Sequence, residues 1–166
     1  MLKYVDAVVT FSEIPDEITL CLNISGCPIH CPACHSKYLW EDIGDKLTKT
    51  ALVDLLTSNN GITCVCFMGG DQSPEEIFKL SDWVHKFYSN KIKTAWYSGN
   101  NKIPYNCNLD YIKIGPYIED FGPLNNPNTN QRFYILGKHL NKMDANSNMY
   151  YDITDKFWRN DSRTIN

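Results

Sequence analysis

Short runs rich in Val, Ile, Leu and Thr alternate along the chain with stretches whose apolar residues recur at helical spacing. Residues 3–11 and 17–24 read as strands separated by a turn-like segment at 12–16. Residues 48–59 predict a helix, because Leu52, Leu55 and Leu56 repeat at i, i+3 and i+4 and Asn60-Gly61 supplies a stop. Residues 62–68 are almost wholly apolar, the pattern of a strand buried on both faces of a parallel sheet. A second helix is expected over 73–88, with Ser73 as cap, Pro74 in the first turn, Glu76 completing a capping box, and Ile77, Leu80, Val84 and Phe87 as its apolar stripe. Two further strands are expected at 92–98 and 111–114. This alternation predicts right-handed βαβ crossovers around a parallel sheet, either open or curved into part of a barrel, with ligands gathered at the C-terminal strand ends.

The strand at 17–24 runs directly into Gly26-Cys27-Pro28-Ile29-His30-Cys31-Pro32-Ala33-Cys34-His35. Pro28 and Pro32 oppose regular helix here, so Cys27, Cys31 and Cys34 lie on a constrained loop able to converge its sulfurs. Thiolates prefer soft centres, and iron-sulfur clusters are anchored by cysteines on individual irons. Three cysteines on a cubane 4Fe-4S cluster leave the fourth iron without a protein ligand. A small molecule carrying an amine and a carboxylate could chelate that iron, the arrangement with which radical S-adenosylmethionine (SAM) chemistry begins. Zinc is the competing metal, since His30 or His35 could complete a Cys3His set, although structural zinc sites commonly pair two knuckles across a longer stretch.

A second feature lies on the same predicted sheet edge. Gly69-Gly70-Asp71 follows the apolar strand and precedes the Ser73 helix, so its backbone can approach a ligand without Cβ interference and Asp71 adds a carboxylate. An ordinary strand-to-helix turn would look the same. Of the other cysteines, Cys64 and Cys66 share one strand face and Cys21 lies on its own strand, which predicts core packing, while Cys107 falls in an apparent loop without an assigned role. His85 and His139 lack ligand-spaced partners.

Composition narrows the class. The chain has 166 residues, 43% hydrophobic content and a formal net charge of −3 with no basic stripe, which predicts one globular domain over 1–166 and no nucleic-acid role. The first ten residues carry no signal peptide, and no window approaches the apolar length of a membrane span, so a cytoplasmic protein with reduced thiols is expected.

Two later segments extend the pattern: Ile114-Gly115-Pro116-Tyr117 and Asn128-Thr129-Asn130-Gln131-Arg132. Together with the cysteine loop and the Gly-Gly-Asp turn, they resemble the activating enzymes of anaerobic (class III) ribonucleotide reductase, small members of the radical SAM superfamily. The likeness covers most of residues 17–136 and leaves 141–166 as a C-terminal extension. It implies an α/β fold of the radical SAM type, a minimal incomplete (β/α) barrel with a mostly parallel sheet. It also implies a 4Fe-4S cluster on Cys27, Cys31 and Cys34, and SAM held by the backbone around Ala33 and His35 and by Gly69, Gly70 and Asp71. The activity implied is generation of a glycyl radical on the reductase large subunit, fed by a flavodoxin-like electron donor. Ala33 stands where many radical SAM enzymes carry an aromatic residue, which predicts little adenine stacking there. Another small radical SAM enzyme and a zinc-binding interaction module are the alternatives. The tail and the 115–132 loop are the candidate partner surfaces.

Overall fold

The computed structural model describes residues 1–105, 107–137 and 150–158. Strand β1 (Lys3–Thr10) and strand β2 (Thr19–Ile24) pair antiparallel, as the short connection between them requires, because a parallel return needs a crossover of a dozen or more residues. The two-residue β3 (Asp45–Lys46) pairs with the start of β1. Helix α1 (Lys49–Ser58) then leads to β4 (Cys64–Met68), and helix α2 (Pro74–Phe87) to β5 (Lys93–Tyr97). After β5 come β6 (Tyr111–Ile114), β7 (Arg132–Leu136) and β8 (Tyr150–Asp152). All eight strands form one sheet in the order β3-β1-β2-β4-β5-β6-β7-β8.

This architecture corrects the expected barrel. Parallel pairing is confined to β2/β4, β4/β5 and β5/β6, whereas β1/β2, β1/β3, β6/β7 and β7/β8 are antiparallel. Only two α-helices occur among the described residues, and β5 connects to β6 without one. The fold is a mixed eight-stranded sheet with two helices rather than a helix-rich (β/α) barrel. The physical reason is local: residues 98–110 carry Gly99, Pro104 and four Asn in place of an apolar helical stripe, and the turns after β6 send β7 back antiparallel. Part of the extension, 150–158, supplies β8 and a short 3-10 turn at Thr154–Phe157. Residues 141–149 and 159–166, and His139, lie outside the described residues.

Period-two alternation gives the sheet two different faces. Leu20, Leu22 and Ile24 of β2, Val65 and Phe67 of β4, Trp96 of β5 and Ile112 of β6 form one buried cluster with Leu52 and Leu56 of α1 and Ile77, Leu80 and Val84 of α2. Cys21, Cys64, Cys66, Ala95, Tyr111 and Phe133 form a second cluster closed by Ile14 and Ile153. The three strand cysteines are therefore small core residues, and burial pushes the Cys64 and Cys66 thiols well above their ordinary value.

Polar ties fix the helices to this sheet. Thr48 caps α1 by accepting from the Ala51 amide at 3.1 Å. The expected capping box on α2 does not form: the Ser73 side chain makes no cap bond, and Glu76 accepts instead from the Leu2 amide at 2.7 Å, fastening α2 to the start of β1. His85, on the inner side of α2, meets Asp110 at 2.7 Å, and the same carboxylate oxygen accepts from the Thr94 amide at 2.6 Å. At the opposite end of the strands from the cysteine loop, Glu17 holds Lys93 at 2.5 Å, Tyr111 at 2.8 Å and Thr63 at 2.6 Å.

Phe67 is fully buried between the central strands and the helices. Phe67→Ala is expected to lower the free energy of unfolding in urea by about 3–5 kcal/mol, with little change in denaturant slope, because a large core void opens without changing the area exposed on unfolding.

Candidate functional site

The C-terminal ends of β2, β4, β5 and β6 lie side by side because these four strands run parallel in neighbouring positions. Each end is followed by a loop or turn: the cysteine loop after β2, Gly69 to Asp71 after β4 and residues 115–117 after β6, all singled out from the sequence, and residues 98–100 after β5, which were not.

The cysteine loop is anchored at both shoulders by backbone hydrogen bonds. Gly26 donates to the Glu41 carbonyl and Cys27 to the Leu39 carbonyl, each at 2.9 Å, and Cys34 donates to the Cys31 carbonyl at 2.9 Å. His30 sits at φ 50°, a left-handed conformation that a non-glycine residue adopts only when its surroundings impose it. All seven cysteines are free thiols, and Cys27, Cys31 and Cys34 are half-buried. Burial pushes the Cys27 thiol up, Asp71 and Cys31 add to the rise, and the Ile29 and His30 amides oppose it. The Cys34 sulfur accepts from the Ser36 amide at 3.4 Å.

Three contacts bring the neighbouring turns against this loop. The Gln72 amide donates to the Ser25 carbonyl at 2.6 Å. Gly99 lies so close to Ile29 that a Cβ there would stand 2.6 Å from the Ile29 Cγ1. The His35 and Tyr117 rings meet with centroids 5.3 Å apart. His30 stacks on Trp40 at 4.6 Å, so both histidines that could complete a zinc set have aromatic neighbours.

Asp71, expected as a ligand-facing carboxylate, is buried and has both oxygens engaged. Ser98 donates to Oδ1 at 2.5 Å, Asn100 to Oδ1 at 2.9 Å and the Gly99 amide to Oδ2 at 3.1 Å. It ties the turn after β4 to the turn after β5. Gly69 and Gly70 have φ of 100° and 93°. A Cβ on Gly69 would meet the Ile24 carbonyl at 3.1 Å, and one on Gly70 would meet Ile77 at 2.8 Å, so close packing onto β2 and α2 demands glycine at both. Ala33 is half-buried and His35 exposed on the outer limb of the cysteine loop.

Lys113 belongs to this edge and was not singled out from the sequence. It lies on β6 beside Tyr97 of β5 and opposite Phe133 of β7, on the sheet face away from the helices. Its Nζ donates to the Gly115 carbonyl at 2.7 Å and the Ser98 carbonyl at 3.5 Å, between the turns that follow β6 and β5. Burial pushes the ammonium down to about 8, against the pull of Asp71, Cys31 and Cys27. A single lysine within the apolar Tyr111-Ile112-Lys113-Ile114 strand was the available signal. Asn130, from the Asn-Gln-Arg segment, donates to the Pro116 carbonyl at 2.9 Å and supports the turn after β6.

The Gly99–Ile29 contact makes a direct prediction. Gly99→Val drives a side chain into Ile29 and loosens the loop, so alkylation of Cys27, Cys31 and Cys34, followed by mass spectrometry, is expected to accelerate severalfold. Adding Ile29→Ala to that variant is expected to restore the slower rate.

Among the described residues, no three His, Cys, Asp or Glu side chains close on one point as a single metal ion requires. A cubane makes a different demand, since each thiolate binds its own iron and the sulfurs stand further apart. No helix among the described residues is long and apolar enough to cross a membrane. Comparison with curated proteins and with solved structures gives no match. The family model of a 4Fe-4S single cluster domain matches residues 18–104, more than half of the chain, a span running from β2 through the cysteine loop, the Gly-Gly-Asp turn and β5. The chain thus belongs to the 4Fe-4S single cluster domain family.

Proposed function

We propose that this protein is a radical SAM activase that generates a glycyl radical on an anaerobic ribonucleotide reductase. The observation that carries the reading is the assembly of the cysteine loop with the turns after β4, β5 and β6 on one sheet edge, through Gln72–Ser25, Gly99–Ile29 and His35–Tyr117. Cys27, Cys31 and Cys34 suit a cubane as a donor set: three free, half-buried thiols on a loop whose shoulders are fixed by backbone hydrogen bonds. Three ligands for four irons leave one iron open to the amine and carboxylate of SAM.

The cluster, when bound, would supply the electron for reductive cleavage of SAM, so that one electron from a flavodoxin-like donor, SAM and a glycine Cα–H of the partner give methionine, 5′-deoxyadenosine and a glycyl radical. The chain's own residues position and shield. The backbone at Ala33 and His35 would meet the adenine, and Gly69 and Gly70, packed on Ile24 and Ile77 next to the loop's entry, would meet the methionyl group. Asp71 keeps the two turns in register through its bonds to Ser98, Gly99 and Asn100. Asp71 is not the acceptor for the SAM ammonium in this reading, because its oxygens already accept from Ser98, Gly99 and Asn100. A tetrahedral zinc site finds less support, because His30 and His35 pack against Trp40 and Tyr117 and the thiols do not close on a point.

Anaerobic reconstitution with iron and sulfide, reduction with dithionite and addition of SAM tests this reading. The expected result is an electron paramagnetic resonance signal altered by SAM, 5′-deoxyadenosine in the product, and a glycyl radical doublet once the cognate reductase is added. Cys31→Ala is expected to reduce 5′-deoxyadenosine to background while leaving the far-ultraviolet circular dichroism unchanged. Undiminished cleavage by that variant would sink the assignment.

A further inference from the structure

We infer that Lys113 is the built-in counter-ion of the cluster and raises its reduction potential. The inference rests on the reading of Cys27, Cys31 and Cys34 as the cluster ligands. Lys113 is 9% exposed, and its Nζ is held by two neutral carbonyls, of Gly115 and Ser98, rather than by a carboxylate; among the described residues no acidic side chain pairs with it. A buried ammonium without a charged partner is costly, so a protein that keeps one needs an anion nearby.

The candidates are few. Asp71 favours the ammonium most, and its charge persists beneath the hydrogen bonds from Ser98, Gly99 and Asn100, but no contact joins it to Nζ. The sulfurs of Cys31 and Cys27 lie on the same side and would add negative charge there once they bind the cluster as thiolates. The placement agrees with the contacts of the surrounding turns: the carbonyls gripping Nζ come from residues 98 and 115, while the adjoining Gly99 touches Ile29 and Tyr117 touches His35 in the cysteine loop. Lys113 thus stands between the turns after β5 and β6, each of which touches the cysteine loop.

A 4Fe-4S core bearing three thiolates is net anionic, and reduction adds one further negative charge. A fixed cation nearby stabilises the reduced form more than the oxidised form, and in a buried setting the interaction is only weakly screened. Removing the charge therefore drives the potential down. This role differs from holding the loop together, because it depends on charge and not on side-chain shape.

The test is a redox titration of the reconstituted full chain, without SAM, followed by electron paramagnetic resonance, on wild type, Lys113→Met and Lys113→Arg. Lys113→Met keeps the length and apolar stem of the side chain and is expected to make reduction at least tenfold less favourable, a shift of about 59 mV to more negative potential for a one-electron couple. Lys113→Arg is expected to stay near wild type. If Lys113→Met assembles no cluster, Lys113→Gln, neutral and able to donate to the same carbonyls, supplies the comparison. An unchanged potential in the neutral variant, or an equal shift in Lys113→Arg, would overturn the inference alone. A wild-type cluster that survives loss of Cys27, Cys31 and Cys34 would overturn the ligand reading and the inference with it.

Discussion

The Asp71 carboxylate holds the functional edge of this protein together. It follows β4, accepts three hydrogen bonds from residues 98–100 after β5, and is sealed from solvent by the turns that it joins. Hydrogen bonds to a charged acceptor contribute about 1.5–3 kcal/mol each, so this tie outweighs an ordinary turn contact. Its consequence reaches the cysteine loop through the next residues on either side: Gln72 grips Ser25 at the loop's entry, and Gly99 lies against Ile29 within it. One ionised side chain thereby couples three successive strand ends, and a metal centre held by short loops needs that kind of preorganisation.

The sheet makes this edge possible by dividing its labour between faces. Helices α1 and α2 cover one face with a continuous apolar layer, while the other carries small thiols and aromatic rings beneath Lys113. Three parallel pairs at the centre bring four C-terminal strand ends together, and antiparallel strands on both flanks extend the sheet without adding a helix. The catalytic proposal depends on those central strands and needs no closed barrel. Residues 18–104, the span matched by the family, contain the cysteine loop and the turns after β4 and β5; Lys113 and the turn after β6 lie beyond it.

Much of the core was legible because its periods are clean. The i, i+3, i+4 leucines of α1, the apolar run of β4 and the α2 stripe of Ile77, Leu80 and Val84 were readable from period and flanking Gly and Pro, whereas Phe87, expected on that stripe, is exposed. The cysteine loop and the Gly-Gly-Asp turn were equally visible as placements after strands. Sheet closure was not visible, because it depends on how the chain returns after β6, and residues 115–131 are rich in Gly, Pro and Asn without a helical or strand period. The antiparallel β1/β2 pairing was not read, although residues 11–18 are too few for a crossover and so offered the signal. The actual partners of Glu76 and Asp71 were beyond reach for a different reason: each satisfies its charge with a residue far away in sequence, Leu2 in one case and Ser98 to Asn100 in the other. Lys113 shows the same limit, because a lone lysine in a strand becomes informative only when its burial and its neighbours are known.

The central claim is that, of seven cysteines, the three on one loop carry the cluster and the rest belong to the core or to a separate loop. The most direct measurement compares iron and sulfide content after anaerobic reconstitution in two variants: one with Cys21, Cys64, Cys66 and Cys107 replaced by Ala, the other with Cys27, Cys31 and Cys34 replaced by Ala. The account predicts a full cluster in the first and none in the second. A cluster that persists in the second variant, or is lost from a folded first variant, would contradict it.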